Sequence, residues 1–377
     1  MAEGEKINDS PPDPKRRKFG QLALSGILGG YLPFTDTALG AEKNAGSGMV
    51  SIAPGIKLAE IVNGMPDDNQ FLFLKQLGVE YIEAWIPGAV VTLDDIMALR
   101  RKVESAGMRL FSTDILDAYN SDKIHLGLPG RDEKISQFND FIRNLGKAGL
   151  HTTTYAWSSG SVYLTGYADS RGCRTRAFDQ DEAKKKPLAY GREYEDEELW
   201  DNYAYFIRKV LPVAEEAGVR LALHPCDPPV SLCGVPQIFR DNASYRRALR
   251  IAGYSKYSGI SFCVGTWAEM LGPDEKGEDI LGAISEFGKT GNIFTVHFRN
   301  VSSPLPRFHE TFADNGYVDM YQVMKAFREV NFNGTMVPDH VPAFQDEKRM
   351  GHLGVSGNAY TIGYMRALLE RVNAEAK

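Results

Sequence analysis

The chain is poor in cysteine, with four in 377 residues: Cys173, Cys226, Cys233 and Cys263. Thiols so few and so widely spread cannot staple a small secreted fold, and no CxxC pair is present to build a zinc ribbon. A Cys226–Cys233 bridge stays open, because reach is not readable from spacing. Positive charge is short as well: 43 Lys and Arg face 49 Asp and Glu, a net −6 with a pI near 5.7. That balance leaves no basic stripe to neutralise phosphates, which argues against a nucleic-acid or anionic-membrane surface and in favour of a small ligand. Long apolar runs are missing too. The one near the amino terminus is interrupted by glycine and falls far short of the ~20 residues a membrane helix needs, so no stable span is expected. Oligomeric state is unwritten in these features, and a homo-oligomer is left open.

What is present begins with a distinctive leader. In "PKRRKFGQLALSGILGGYLPF" the pair Arg16 and Arg17 precedes Phe19 and a modest apolar stretch, and "TDTALGAE" offers small residues for cleavage after Gly40 or Ala41. This resembles a twin-arginine export signal, which carries folded proteins to the periplasm. The competing reading is a disordered cytoplasmic tail with a chance arginine pair. Residues 1–47 are therefore set apart from one catalytic domain over 48–377.

Within that domain, short β-branched or aromatic runs alternate with longer amphipathic stretches. Candidate strands are 56–62, 79–86, 108–115, 150–157, 219–225, 259–265, 292–300 and 334–340. Helical patterns run over 67–77, 93–106, 131–148, 195–217, 244–251, 279–290, 319–330 and 360–373. Several end on a glycine that leads straight into the next strand, as in "KQLGVEY" and "EEAGVRL", the signature of a helix C-cap feeding a short loop. Eight successive βα units predict a closed parallel (β/α)8 barrel. An open doubly wound sheet is the alternative, disfavoured because no GxGxxG follows the first strand. Residues 158–192, polar and arginine-rich, break the rhythm and are expected to form an extended loop after strand 4.

Strands five to eight each finish on a potential metal ligand: His224 in "LALHP", Cys263 in "SFCVG", His297 in "TVHFRN" and Asp339 in "VPDH". In a barrel these strand ends open into one mouth. Two imidazoles, a thiolate and a carboxylate carry two negative charges, enough to neutralise a divalent ion while leaving positions for substrate oxygens. Taken singly, each residue has a plainer explanation: a hydrogen-bonded strand-end histidine, a small core thiol, a turn-capping aspartate. Their recurrence at four corresponding ends favours a shared ion, and ligand softness alone favours zinc or iron.

At these residues the chain resembles the mannonate dehydratases, sugar-acid dehydratases within the xylose-isomerase-like TIM barrels. The likeness runs through "DKIHLGLPGRD", "FIRNLGKAGL", "VLPVAEEAGVRLALHPCDPP", "CGVPQIF", "GISFCVGTW", "FGKTGNIFTVHFRNV", "GYVDMYQVMKAFRE" and "MVPDH", covering most of residues 120–370. It implies His224, Cys263, His297 and Asp339 as metal ligands, holding Mn²⁺ or another divalent ion such as Fe²⁺, Co²⁺ or Mg²⁺, in place of the softness argument. It implies loss of water from D-mannonate to give 2-dehydro-3-deoxy-D-gluconate in hexuronate catabolism. His340 and Tyr360 stand where the family carries its proton-transfer residues. Arg299 is expected to clamp the substrate carboxylate, with Arg131 and Asp132 contributing from the strand 3 side.

Three departures bear on substrate choice: "HPCDPP" places Cys226 where the family commonly has a carboxylate, "PDHV" stands for PDHG, and "YAWSSG" for a YNFMP-like segment. Two other readings compete. A divalent-metal sugar isomerase or epimerase on the same barrel would shuttle protons between carbons without a leaving-group acid. A non-catalytic periplasmic sugar-acid binder would bind without turnover.

Overall fold

In a computed structural model of the chain, residues 54–88, 91–115, 120–274, 276–344 and 355–375 are described. The leader expected over 1–47 lies outside them. The first four strands are β1 (Lys57–Asn63), β2 (Tyr81–Ile86), β3 (Arg109–Ile115) and β4 (Thr152–Tyr155). They are followed by β5 (Gly166–Ser170), β6 (Cys173–Asp179), β7 (Arg220–Leu223) and β8 (Ser258–Cys263). The last four are β9 (Ile293–His297), β10 (Asn300–Val301), β11 (Arg307–Thr311) and β12 (Thr335–Val337). All eight expected barrel strands are among them, hydrogen-bonded in the order β3-β2-β1-β12-β9-β8-β7-β4, with every pairing in that sheet parallel.

Local chemistry explains the helices between them. Asp67 with Gln70, Thr92 with Asp95 and Asp241 with Ser244 form reciprocal caps that satisfy the first free amides of helices Asp68–Gln76, Leu93–Ser105 and Asn242–Ile251. In helix Arg131–Lys147, Ile135, Phe138, Ile142 and Leu145 recur at three- and four-residue steps and turn one face to the strands. Gly218 ends helix Asp196–Ala217 at φ +69°, a conformation that a side chain disfavours, and the chain enters β7 at once. The main apolar core fills the layer between helices and strands. A small second cluster of Ala59, Ile61, Tyr81, Phe111 and Val337 plugs the barrel interior.

Among the described residues no backbone ladder closes the ring between β3 and β4. Between β3 and β4 the carboxylate of Asp114 accepts from the Thr154 backbone N–H at 2.6 Å and from Thr153 Oγ1 at 3.1 Å. A second irregularity lies between β8 and β9, where Ile260 faces Ile293 but Ser261 faces Thr295. The extra residue, Phe294, packs over Gly259, where an added Cβ would come within 2.4 Å of the Asn292 carbonyl oxygen. Without this bulge Cys263 would stand opposite Val296; with it, Cys263 stands opposite His297.

The segment after β4 differs from expectation. It is not an extended loop: β5 and β6 form a hairpin, turned by Arg171 and Gly172 at φ +53° and +79°, the left-handed pair that matches strand twist in a two-residue turn. The hairpin continues through β11 to β10 as a four-stranded antiparallel sheet. Alternation is weak in "GYADSRGCRTRAF" because the sheet's partner strands come from a distant loop, so hydrophobic period alone misses it. Among the described residues no helix is long and apolar enough to cross a membrane.

Asp114 is buried, and loss of hydration raises its carboxyl to about 7, with the Thr154 amide opposing and Glu83 adding to the rise. A carboxyl whose folded pKa lies above its unfolded value of 3.8 stabilises most below pH 4 and loses that contribution as pH rises through 7. In metal-free protein, Asp114→Asn keeps an acceptor for Thr154 and cannot ionise. Its stability relative to the unsubstituted chain should rise between pH 4 and 8 by up to about 4 kcal/mol. Urea unfolding at several pH values measures this, and a pH-independent difference would refute it.

Candidate metal centre and pocket

The carboxyl ends of β7, β8, β9 and β12 meet as the alternation of strand side chains requires. One donor atom each from His224, Cys263 and His297 lies within 4.8 Å of the others, and all three residues are buried. Asp339 stands beside them, Oδ2 being 3.5 Å from Cys263 Sγ and Oδ1 3.4 Å from His297 Nδ1. The Asp339 backbone sits at φ +66°, a left-handed conformation that costs a non-glycine residue of the order of 1 kcal/mol and is typical of functional positions. His224 Nδ1 is 2.8 Å from the Pro225 carbonyl oxygen. Since a carbonyl only accepts, Nδ1 carries the proton and Nε2 keeps the lone pair a metal needs.

Electrostatics favour a cation at this point. Burial would push the Cys263 thiol up, but the Arg299 guanidinium and the two imidazoles outweigh it and hold the thiol at about 5. Its sulfur accepts from Thr266 N at 3.4 Å and Thr266 Oγ1 at 3.1 Å, which suits a thiolate. Burial disfavours charge on His297 as well, yet Asp339 and Cys263 hold its pKa well above the ordinary value. Among the described residues the neighbour of its Nδ1 is Asp339 Oδ1 at 3.4 Å, a contact without good hydrogen-bond geometry. A thiolate and a carboxylate at van der Waals distance in a dry site repel each other, and the donor set of two imidazoles, one sulfur and one carboxylate fits a divalent ion.

Behind the ligands lies an ion network. Arg299 donates from Nε to Asp339 Oδ2, from Nη1 to Glu269 Oε1, and from Nη2 to Asp227 Oδ2 and Thr266 Oγ1, each at 2.8 Å. Arg176, from β6, donates to Asp227 at 2.9 Å, Glu269 at 3.1 Å and Glu310 at 2.9 Å. Burial would raise the Asp227 carboxyl, but the two guanidinium groups overcome it and hold it well below the usual range. An added Cβ at Gly265 would come within 2.4 Å of the Arg299 guanidinium, so the tight backbone there is part of how Arg299 is placed.

In front of the ligands opens a cavity of about 330 Å³ lined in part by Trp85, Asn120, Tyr163, His224, His297 and His340. His340 Nδ1 lies 2.6 Å from Glu310 Oε1. A carboxylate cannot donate, so Nδ1 carries a proton and Nε2, 3.6 Å from Asp339 Oδ1, is the titrating nitrogen. Burial opposes charge on His340, but Asp339 and Glu310 hold its pKa above the ordinary value.

The structure thus brings His224, Cys263, His297, Asp339 and His340 together, sets Arg299 behind Asp339, and separates Tyr360, Arg131 and Asp132 from them. The Tyr360 hydroxyl donates to Asp314 at 2.8 Å, away from the lining of the cavity. Arg131 lies 3.7 Å over the Tyr205 ring and Asp132 accepts from Tyr205 Oη at 2.7 Å, so both join two outer helices. Arg299 does not point a free fork at a substrate, because its nitrogens are engaged by Asp339, Glu269, Asp227 and Thr266. Cys226 and Cys233 are free thiols, and Cys226 Sγ donates to the Trp157 carbonyl at 3.1 Å. Sequence reasoning missed Tyr163, Arg176, Glu269 and Glu310. The one available signal was the charge density of the segment around Arg176, which the loop reading discarded.

Comparison with known proteins agrees with this geometry. The family model for D-mannonate dehydratase (UxuA) matches residues 71–186 and 176–377. A mannonate dehydratase of Oceanobacillus iheyensis is 31% identical over 320 residues, 76% of this chain and 87% of its own length. One from Thermotoga petrophila is 30% identical over 328 residues, 77% of this chain and 89% of its own. The crystal structure of mannonate dehydratase from Streptococcus suis serotype 2 superposes with a TM-score of 0.76 at 27% identity, covering 86% of this chain and 95% of that one. D-psicose 3-epimerase from Clostridium cellulolyticum shares the barrel, with a TM-score of 0.53 at 13% identity over 84% of this chain and 99% of that one. With a family model spanning most of the folded region and a ligand set converging at one pocket, the chain belongs to the D-mannonate dehydratase family.

Proposed function

We infer that the protein is a metal-dependent hydro-lyase that removes water from a sugar acid, with D-mannonate as substrate and 2-dehydro-3-deoxy-D-gluconate as product. The observation that carries this reading is the meeting of His224, Cys263, His297 and Asp339 at a pocket that also presents His340. In this reading those four residues hold Mn²⁺, with Fe²⁺, Co²⁺ or Mg²⁺ as substitutes. A divalent ion held there supplies Lewis acidity toward the substrate carboxylate, whose negative charge grows as the C2 proton departs.

The chain's own residues supply the rest. His340 takes the C2 proton at Nε2, its ring held by Glu310 on the other nitrogen. Asp339, the neighbour that most holds the His340 pKa up, is one of the residues that would hold the ion, so its charge would be shared when the ion is bound and His340 would be better placed to act as a base. Arg299 and Arg176 orient Asp339, Asp227 and Glu310 and neutralise charges that burial would otherwise disfavour. Arg299 acts through Asp339 in this account and is a positioning residue.

Purified protein supplied with Mn²⁺ and D-mannonate should form a 2-oxo-3-deoxy acid, detectable by its reaction with semicarbazide; absence of product at saturating metal and substrate would refute the reading. Titration with Co²⁺ should develop a sulfur-to-metal charge-transfer band that Cys263→Ser weakens strongly. Affinity should fall as pH drops through the range where the ligands take up protons. A titration without a thiolate band would place the ion elsewhere. Gly265→Ala touches no substrate, yet it should displace Arg299 from Asp339 and weaken metal binding roughly 10- to 100-fold, as loss of a ligand's supporting contact does. Unchanged Co²⁺ affinity in that variant would show that Arg299 does not set the ligand geometry.

A further inference from the structure

Elimination of water needs an acid as well as a base, because hydroxide is a poor leaving group. With Tyr360 bound to Asp314 away from the pocket lining, the candidate acid among the described residues comes from another element. Tyr163, from the segment between β4 and β5, lines the same cavity as His224, His297 and His340. Its Oη lies 2.9 Å from the ring nitrogens of His340, and the two rings meet edge to face at 5.5 Å.

Arg176 holds Tyr163 in place twice. Its guanidinium carbon stands 4.1 Å from the centre of the phenol ring, and its Nη1 donates to the Tyr163 backbone carbonyl at 2.8 Å. Burial, with Glu310 and Asp227 nearby, holds the Tyr163 phenol well above its ordinary pKa and so keeps it protonated at rest. A phenolate formed as it gives up the proton would face the fixed charge of Arg176. The other hydroxyl among the described lining residues, that of Ser158, is an alcohol and a far weaker acid than a phenol.

We propose that Tyr163 is the acid that protonates the departing C3 hydroxyl, an inference that rests on the dehydratase reading above. The C2–H bond breaks and its proton goes to His340 Nε2, while the electron pair forms the C2=C3 double bond. The C3–O bond breaks, the leaving oxygen takes the phenolic proton of Tyr163, and water departs. The phenolate then recovers a proton from His340, 2.9 Å away. Each turnover so moves one proton from C2 to the leaving oxygen and consumes no external acid. The enol left behind becomes the 2-oxo acid by moving its hydroxyl proton to C3, with no net change in atoms.

The test compares Mn²⁺-loaded wild type and Tyr163→Phe on D-mannonate and on 3-deoxy-3-fluoro-D-mannonate, whose fluoride leaves without protonation. Tyr163→Phe should lose roughly 100-fold or more in kcat on D-mannonate, with KM changed little and with C2 deuterium exchange from D₂O retained. On the fluoro substrate it should eliminate fluoride at close to the wild-type rate, a rescue that a merely structural role would not give and that also shows the variant folded. Water loss by Tyr163→Phe within a few-fold of wild type overturns the proposal. So does equal loss of water and fluoride elimination, or turnover lost in Tyr360→Phe but kept in Tyr163→Phe. Wild-type protein that turns over neither substrate overturns the dehydratase reading itself.

Discussion

The site depends on the burial of one guanidinium. Arg299 lies almost wholly out of solvent and contacts Asp339, Glu269 and Asp227 at once. Four acidic groups, Asp227, Glu269, Glu310 and Asp339, crowd one end of the barrel, and all but Asp227 are buried. Left alone, such groups would take up protons and cease to act as ligands or orienting acceptors. The positive charge of Arg299, joined by that of Arg176, keeps Asp227 and Cys263 ionised against the pull of desolvation. Removing one member of such a network leaves the others as uncompensated buried charges, so the set stands or falls together.

That dependence gives the antiparallel sheet a role the barrel cannot fill. A barrel strand offers one side chain at its carboxyl end, which suffices for ligands, but the proton-handling groups must approach from above. The hairpin β5–β6 and strand β11 deliver Arg176 and Glu310, and the chain leading into the hairpin delivers Tyr163. Glu310 then meets both Arg176 and the imidazole of His340 through the same oxygen. The ligand cage thus rests on parallel strands, while the groups that handle protons are held from the layer over the mouth.

The barrel was legible because its physical signal is local. Strands buried on both faces read as apolar runs, helices show their periodicity, and glycines such as Gly218 mark the short returns, so each unit can be recognised without its neighbours. The ligand residues were legible for a related reason: strand ends in this topology share one mouth, so four donors in corresponding positions converge once the barrel is granted. The partners of Arg299 were not. In sequence it is an arginine two residues after a ligand, equally suited to holding a substrate or a neighbour, and only the burial of Glu269 and Asp227 against it shows which acceptors it serves.

Sequence by itself determined the eightfold alternation and the chemical types at the strand ends, since both follow from side-chain period and residue identity. Tertiary structure alone decided the rest: that the bulge at Phe294 sets Cys263 opposite His297, that Tyr163 and not Tyr360 adjoins His340, and that a polar segment becomes a sheet. Those outcomes turn on one-residue registers and on contacts between segments more than a hundred residues apart, where a carboxylate and a guanidinium find each other only after the backbone has brought them within hydrogen-bonding distance.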